Sequence, residues 1–282
     1  MGNATQIWFV TGASKGLGLT LVRRLLAQGK KVAATSRTSE ALESTVSTES
    51  ANFLPLQVDL ANEDIVAEAI TKTVTKFGSI DVVVNNAGYG QQGTFEGLSD
   101  EEFRKSFEVN VFAPLNVLRH CLPYLRRQRS GRVFNISSII GFNGGYAGWG
   151  CYVGTKFALS GMTETLAAEL SEFGVKATVV YPGPIRTDFL SSGSLLVAKT
   201  QIAAYTQAKA SLDLHLNELA GKQAGDPEKM AQAIIDCSAA AQPPVHLFLG
   251  KIAFDLGHAK IASVEQDLQE WTTTSTNVDF VE

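Results

Sequence analysis

The chain has 282 residues, 45% hydrophobic and 18% charged, with a formal net charge of −4. That composition supplies ample apolar material for a buried core and excludes a wholly disordered chain, while the small acidic excess argues against a duplex-binding surface. Length alone allows one or two domains; without a repeat, low-complexity run or linker in view, the expectation is one unit over 1–282, with a C-terminal extension over 251–282.

The elements alternate along the chain. Ile7 to Val10 is a compact apolar strand running into a glycine-rich turn. A helix is expected over 16–28, with Leu17, Val22, Leu25 and Leu26 on one face. Strands follow at 31–36 and 53–58, then a helix over 62–77 capped by Asn62 and ended by Gly78. The DVVVN run at 81–85 reads as a strand buried on both faces. A long helical stretch covers 99–127. A strand over 132–137, a glycine-rich loop to Gly150, a helix over 151–173 and a strand over 175–181 complete the regular part, which Pro182-Gly183-Pro184 stops. This rhythm implies an α/β fold, a parallel sheet covered by helices on both faces. Beyond it, residues 190–220 are helical in composition, Asp226-Pro227 opens another helix, 246–249 is a last strand and 251–271 is helical. The polar stretch from Thr272 is loose or lies on the surface.

No segment approaches the ~18 apolar residues of a membrane span. The first residues lack the charged region and cleavage site of a secretory signal, and Gln6 stands where myristoylation needs Ser or Thr. Cys121, Cys151 and Cys237 are odd in number and widely spaced, which fits neither a disulfide framework nor a CxxC site. The expectation is a reduced, soluble, cytoplasmic protein without metal, in which the sequons Asn3-Ala4-Thr5 and Asn135-Ile136-Ser137 carry no meaning.

The first strand–helix turn reads Thr11-Gly12-Ala13-Ser14-Lys15-Gly16-Leu17-Gly18. Glycines let the backbone approach a ligand, and the following helix N-terminus offers free N–H groups and a positive dipole end to a pyrophosphate. The first βα crossover is where doubly wound folds bind dinucleotides. NAD-specific dehydrogenases end the second strand with Asp or Glu; here that position is Ser36, followed by Arg37. A carboxylate repels a 2′-phosphate, whereas an arginine grips it bidentately. Lys15 adds a second positive charge, so the preferred cofactor is NADP(H). Asp59, at the end of the third strand with Leu60 beside it, is either a contact to the adenine amino group or a turn carboxylate.

Tyr152 and Lys156 stand four apart at the start of a helix and share a face. A tyrosine with a pKa near 10 is a poor acid–base group at neutral pH, and a neighbouring ammonium lowers that pKa. Ser137-Ser138 ends one strand, where a hydroxyl can orient a substrate carbonyl beside the tyrosine; Asn85-Asn86-Ala87-Gly88 ends another, and Asn110 follows in a helix.

TGASKGLG, the VDL at 58–60, NNAG, the Asn110 segment, NISS, YVGTK and YPGPIRT occur in that order, and over residues 5–190 the chain resembles the short-chain dehydrogenase/reductase family. The resemblance implies a single-domain Rossmann-type fold, a doubly wound parallel sheet of about seven strands. It implies Tyr152 as general acid in reduction, Lys156 as its pKa-lowering partner and ribose ligand, Ser138 as the polarising serine, and Asn110 holding a water in the proton relay. Gly12, Ser14, Gly16 and Gly18 would line the pyrophosphate, with Leu17 contributing backbone. Asn86 and Gly88, flanking Ala87, would lie at the adenosine ribose; Pro182, Gly183, Ile185 and Thr187 would contact the nicotinamide end. The serine-to-tyrosine gap of fourteen is often one shorter in the family, and the glycine-rich 141–150 segment absorbs the difference.

The reaction so implied is NADPH-dependent reduction of a ketone or aldehyde. A lid over 188–220 with Phe189 and Leu190, and a loop with Phe142 and Trp149, predict an apolar carbonyl substrate; neither region clusters the cations a phosphorylated substrate would need. A non-catalytic NADPH-binding regulator is the main rival, and a sugar epimerase or dehydratase a lesser one, since such relatives run longer. A serine hydrolase lacks its G-x-S-x-G elbow, and His120, His215, His246 and His258 are read as structural or surface residues. The resemblance also implies a homo-oligomer built on the helices at 99–127 and 151–173; a C-terminal extension covering that surface would leave a monomer.

Overall fold

The computed structural model describes residues 5–38, 40–43, 50–190 and 193–280. The sequon at Asn3-Ala4-Thr5 begins outside them, as do the last two residues of the extension and two of the expected lid. The elements run β1 (Ile7–Val10), α1 (Gly16–Ala27), β2 (Lys31–Ser36), α2 (Glu40–Glu43), β3 (Phe53–Gln57), α3 (Glu63–Phe77), β4 (Val82–Asn85), β5 (Gly90–Gln92), α4 (Asp100–Phe107), α5 (Ala113–Gln128) and β6 (Gly131–Ile136). They continue α6 (Gly150–Leu170), β7 (Val175–Pro182), β8 (Leu195–Val197), α7 (Thr206–Asp213), α8 (Pro227–Ala239), β9 (His246–Leu249), α9 (Lys251–Glu270) and α10 (Thr272–Thr276).

Seven strands make one parallel sheet in the order β3-β2-β1-β4-β6-β7-β9. The strand order reverses between β1 and β4, which opens a crevice at their carboxyl ends. Period-two alternation explains why the strands are apolar throughout. Trp8, Val10, Val82 and Val84 face one layer with α1 and α8, whose Leu21, Leu25 and Ile234 complete that core. Ile7, Phe9 and Val83 face the opposite layer, where Ile70 of α3, Leu125 of α5 and Leu166 of α6 pack.

Local chemistry sets several element ends. The Asn62 side chain accepts from the Asp64 and Ile65 N–H groups, and Gly78 closes α3 at φ 95°. Ser99 and Glu102 form a reciprocal capping box at the start of α4. Asp226 caps α8 with Pro227 in its first turn.

Two expectations need correction. The 99–127 stretch is interrupted between α4 and α5 by a π-helical turn over Glu108–Phe112, the wider turn that carries Asn110. Among the described residues of the 190–220 segment, α-helix starts only at Thr206; before it, β8 pairs in parallel with β5, adding a two-stranded sheet beside the main one. The polar stretch from Thr272, expected to be loose or on the surface, lies exposed and opens as the short helix α10. Among the described residues no helix is long and apolar enough to cross a membrane, and no group of three or more metal-binding side chains is present. Cys121, Cys151 and Cys237 are buried free thiols. Asn135, in the second sequon, is buried and hydrogen-bonded to Asn85 and Thr163.

Candidate active site

A cavity of about 940 Å³ opens at the carboxyl ends of β1, β2, β4, β6 and β7. One end is built from the glycine turn. Gly12 lies at φ 64° and Gly16 at φ 58°, backbone angles that L side chains rarely adopt. A Cβ on Gly12 would stand 2.6 Å from the Ala87 Cα, and one on Gly18 would strike the Asn86 amide. Asn86 is the clamp here: its Nδ2 donates to the Thr11 and Gly12 carbonyls at 3.0 Å each. The Thr11 hydroxyl in turn accepts from the Asn86 and Ala87 N–H groups.

Gly12, Ser14, Lys15, Gly16, Leu17, Ser36, Arg37, Asp59 and Leu60 all line this end. Ser36 turns its hydroxyl back to the Thr38 backbone, so Arg37 is the residue of that turn with charge to offer. Burial lowers the Lys15 ammonium, the Arg37 charge lowers it further, and Asp188 opposes both. Two cations near enough to repel form a natural seat for a dianionic phosphate. Asp59 Oδ1 accepts from the Ala61 N–H, the turn role left open by the sequence, while still facing the cavity.

Gly88, Ser138, Tyr152 and Lys156 line the middle of the cavity. Tyr152 and Lys156 occupy the first two turns of α6, with Lys156 Nζ 5.7 Å from the centre of the Tyr152 ring. Lys156 is only 4% exposed, and its Nζ donates to the Ile136 carbonyl at 2.8 Å. Burial without a carboxylate partner brings its ammonium down to about 8. Burial likewise pushes the Tyr152 phenol up, opposite to the lowering expected from a neighbouring ammonium. Ser137 is committed to structure, with its hydroxyl donating to the Lys156 carbonyl at 3.0 Å and touching Ser160. Ser138 is the partly exposed serine and makes only a long contact, 3.4 Å, to the Ile140 N–H.

Asn110 stands behind these groups, outside the cavity lining. Its Oδ1 accepts from the Tyr89 N–H at 3.0 Å, and its Nδ2 donates to the Tyr89 carbonyl at 2.9 Å and to Thr155 Oγ1 at 3.2 Å. The π-turn thereby ties the chain after β4 to α6. A Cβ on Gly88 would stand 2.9 Å from Asn110 Oδ1 and 3.5 Å from Lys156 Nζ, so only glycine leaves that space open.

The far end is apolar. Tyr146, Trp149, Phe189, Leu190, Leu196 and Leu214 are among its lining residues. The Trp149 indole donates to Ser211 Oγ at 3.0 Å, fixing α7 over the cavity. Phe142, expected in this pocket, is not there: its ring packs edge-on against Tyr181 and Phe248. Gly18 also lies off the lining and serves packing instead. Pro182, Gly183, Ile185 and Thr187 border the cavity where its two ends meet.

Two contributions escaped the sequence reading. His215 lines the cavity, its ring 4.7 Å from Trp149 and its Nδ1 2.7 Å from the Ser211 carbonyl. Its place four residues after Ser211 on one helical face was the available signal. Ile252 and Leu256 of α9 close the roof; nothing local in the C-terminal extension distinguishes them from core residues.

The family model for short chain dehydrogenase matches residues 6–196. The chain belongs to the short-chain dehydrogenases. It is 32% identical over 272 residues to the oxidoreductase BOA17 of Botryotinia fuckeliana, covering 96% of this chain and 98% of that one. A short-chain dehydrogenase from Streptomyces avermitilis superposes with a TM-score of 0.90 at 34% identity, covering 98% and 100% of the two chains. The NADP-bound structure of ElxO matches with a TM-score of 0.72 at 26% identity, over 87% of this dehydrogenase and 97% of ElxO. The seven-stranded parallel α/β fold and the oxidoreductase class follow from these likenesses.

Proposed function

We propose that this dehydrogenase reduces a ketone or aldehyde to the alcohol with NADPH, reversibly. The observation that carries the reading is a single cavity holding Ser138, Tyr152 and Lys156 between a glycine cradle with a cationic rim and an apolar chamber. The cradle fits a dinucleotide, because the space beside Gly12 and Gly88 is what a side chain there would take away. The Lys15–Arg37 pair suits a 2′-phosphate, as does the absence of a carboxylate at the end of β2.

The dinucleotide supplies a hydride when bound. Tyr152 hands its phenolic proton to the developing alkoxide, and the Ser138 hydroxyl donates a hydrogen bond to the same oxygen. A phenol pushed up by burial is protonated at neutral pH, the form an acid needs. Lys156, held against the Ile136 carbonyl, keeps a positive charge beside the ring and stabilises the tyrosinate left behind. Asn110 is a positioning residue that fixes the turn at Gly88 against α6. Phe189, Leu190, Trp149 and their neighbours exclude water and select an apolar carbonyl compound.

The test is NADPH oxidation, followed by absorbance, across a panel of ketones and aldehydes with NADH as control. Turnover that prefers NADPH supports the reading. Tight NADPH binding with no turnover on any carbonyl would instead favour a regulator that senses the dinucleotide.

A further inference from the structure

Outside the active-site cavity, two apolar surfaces adjoin. The first is the far half of α9. Its opening turns are anchored, with Ala253 and Gly257 buried and Ile252 and Leu256 on the cavity roof. From Ile261 to Phe280 every residue is exposed. The helix nevertheless carries a stripe at heptad spacing: Ile261, Val264, Leu268 and Trp271, exposed by 55%, 41%, 58% and 62%. The helical residues 261–270 reach about 15 Å beyond the anchored part. An isolated helix of that length is marginal in water, so the stripe calls for a cover.

The second surface is a groove of about 1090 Å³ walled by Phe95, Val153, Phe157 and Tyr205. Phe95 is 74% exposed. Ala259, Lys260 and Ser263 form one border, so the arm leaves the body at the rim of its own groove.

We propose that the arm over 261–280 lies in the groove of a second copy of this chain, in a reciprocal exchange. Arm and groove belong to one chain, and a two-fold axis beside the arm's root sends each arm along the other's groove in a closed contact. Lys260 is the one charged residue lining the groove and faces the arriving arm's Glu265, Asp267, Glu270 and Asp279, while Glu96, bonded to the Tyr205 hydroxyl, stands at the groove's edge. Covering the exposed parts of the four stripe residues and of Phe95, Phe157 and Tyr205 removes on the order of 800 Å² per protomer, the share each partner gives to a standard stable interface. A lipid surface suits the arm less, because residues 261–282 include no Lys or Arg, and anionic bilayers repel an acidic helix. Tyr146 lines both the groove and the catalytic cavity, so the exchanged arm also braces the substrate end. The inference is independent of the proposed reaction.

The test uses full-length chains bearing Leu268→Cys on the arm, or Thr94→Cys or Tyr205→Cys in the groove, purified separately, mixed and mildly oxidised. The three native cysteines are buried and give little background. The expected product is a disulfide-linked dimer of arm and groove variants that forms only on mixing. Phe95→Asp in the groove chain should lower its yield at least tenfold. Leu268→Cys chains linking only to each other would overturn the proposal in favour of arm-to-arm pairing. A dimer in sedimentation without any mixed product would overturn it in favour of a contact on α5 and α6. Loss of the mixed product with arm-dependent pelleting on phosphatidylcholine vesicles would overturn it in favour of a membrane.

Discussion

The two ends of the cavity are built by different physics. At the dinucleotide end, strand termini and the helix start of α1 meet with almost no side-chain bulk, and buried hydrogen bonds hold them: Asn86 to Thr11 and Gly12, Asn110 to Tyr89 and Thr155. At the substrate end, segments after β7 and from α9 meet mainly through rings and aliphatic side chains, pinned at few polar points. A hydrogen-bonded cradle tolerates little change, because each buried donor or acceptor left unpaired costs about 1–3 kcal/mol. An apolar chamber repacks at smaller expense, so substrate range can change while the dinucleotide site stays fixed.

Three changes at the dinucleotide end and the cavity's middle beside it should have the largest effects. Tyr152→Phe removes the proton donor and should lower kcat by roughly 10²–10⁴-fold, leaving NADPH affinity measured by fluorescence titration within a few-fold of wild type. A comparable loss of affinity would mean that the ring, not its proton, is the needed group. Gly12→Ala sets a Cβ 2.6 Å from the Ala87 Cα at a φ of 64°, whereas Gly193→Ala at φ 72° meets nothing within 4 Å. Thermal and denaturant melts should show Gly12→Ala less stable by several kcal/mol and Gly193→Ala by only about 1 kcal/mol; equal losses would erase the contrast between the ends.

The third change concerns pH. Lys156 falls from the usual lysine range to about 8 in the folded chain. Between about pH 8 and the ordinary lysine pKa the unfolded chain therefore holds a proton that the folded chain has released, and this residue's contribution to stability rises with pH across that window. Below it, both states are protonated and the folded state bears the full burial penalty. Lys156→Met should remove the dependence, so wild type should gain on the order of 3 kcal/mol relative to the variant from pH 7 to pH 10.5 without added dinucleotide. A constant difference between the two chains would show that Lys156 keeps an ordinary pKa.

Arg37→Asp tests the rim of the same end. It should weaken NADPH by roughly 10–100-fold and NADH far less, because a carboxylate repels the 2′-phosphate and tolerates free ribose hydroxyls. Equal losses for both dinucleotides would place Arg37 outside the phosphate contact.

The same division governs what the sequence made legible. The valines of β4, the glycine turn and the Asn62 and Gly78 caps are local signals, and β1 to β4, β6 and β7 and the cradle residues other than Gly18 could be placed from them. The small β5–β8 sheet joins residues about a hundred positions apart through three-residue strands, too short to show a period. The buried face of α6 sets Tyr152, Thr155, Lys156, Ser160 and Thr163 among Cys151, Leu159 and Leu166, and the last four of those polar groups bond to β6 or to the helix itself, so its apolar pattern is masked where the chemistry sits. Phe142 illustrates the opposite error: an aromatic in a loop beside the site, with nothing local to show that its ring turns toward Tyr181 and Phe248. His215 entered the cavity wall only because α7 folds back onto Trp149.

The smallest effect should come from the Trp149–Ser211 contact. Trp149→Phe keeps an aromatic ring near Tyr152 and His215 but loses the indole N–H that reaches Ser211 Oγ. The bond is partly buried and neutral, worth about 1 kcal/mol. Its loss should loosen α7 over the chamber, raising the KM for a carbonyl substrate about three- to five-fold while kcat and the NADPH dissociation constant stay within two-fold. Ser211→Ala should reproduce the KM change, and the double variant should be no worse than either single one, because both remove the same bond. Additive losses would mean that Trp149 acts through its ring on the substrate, and that the apolar end is as tightly specified as the dinucleotide end.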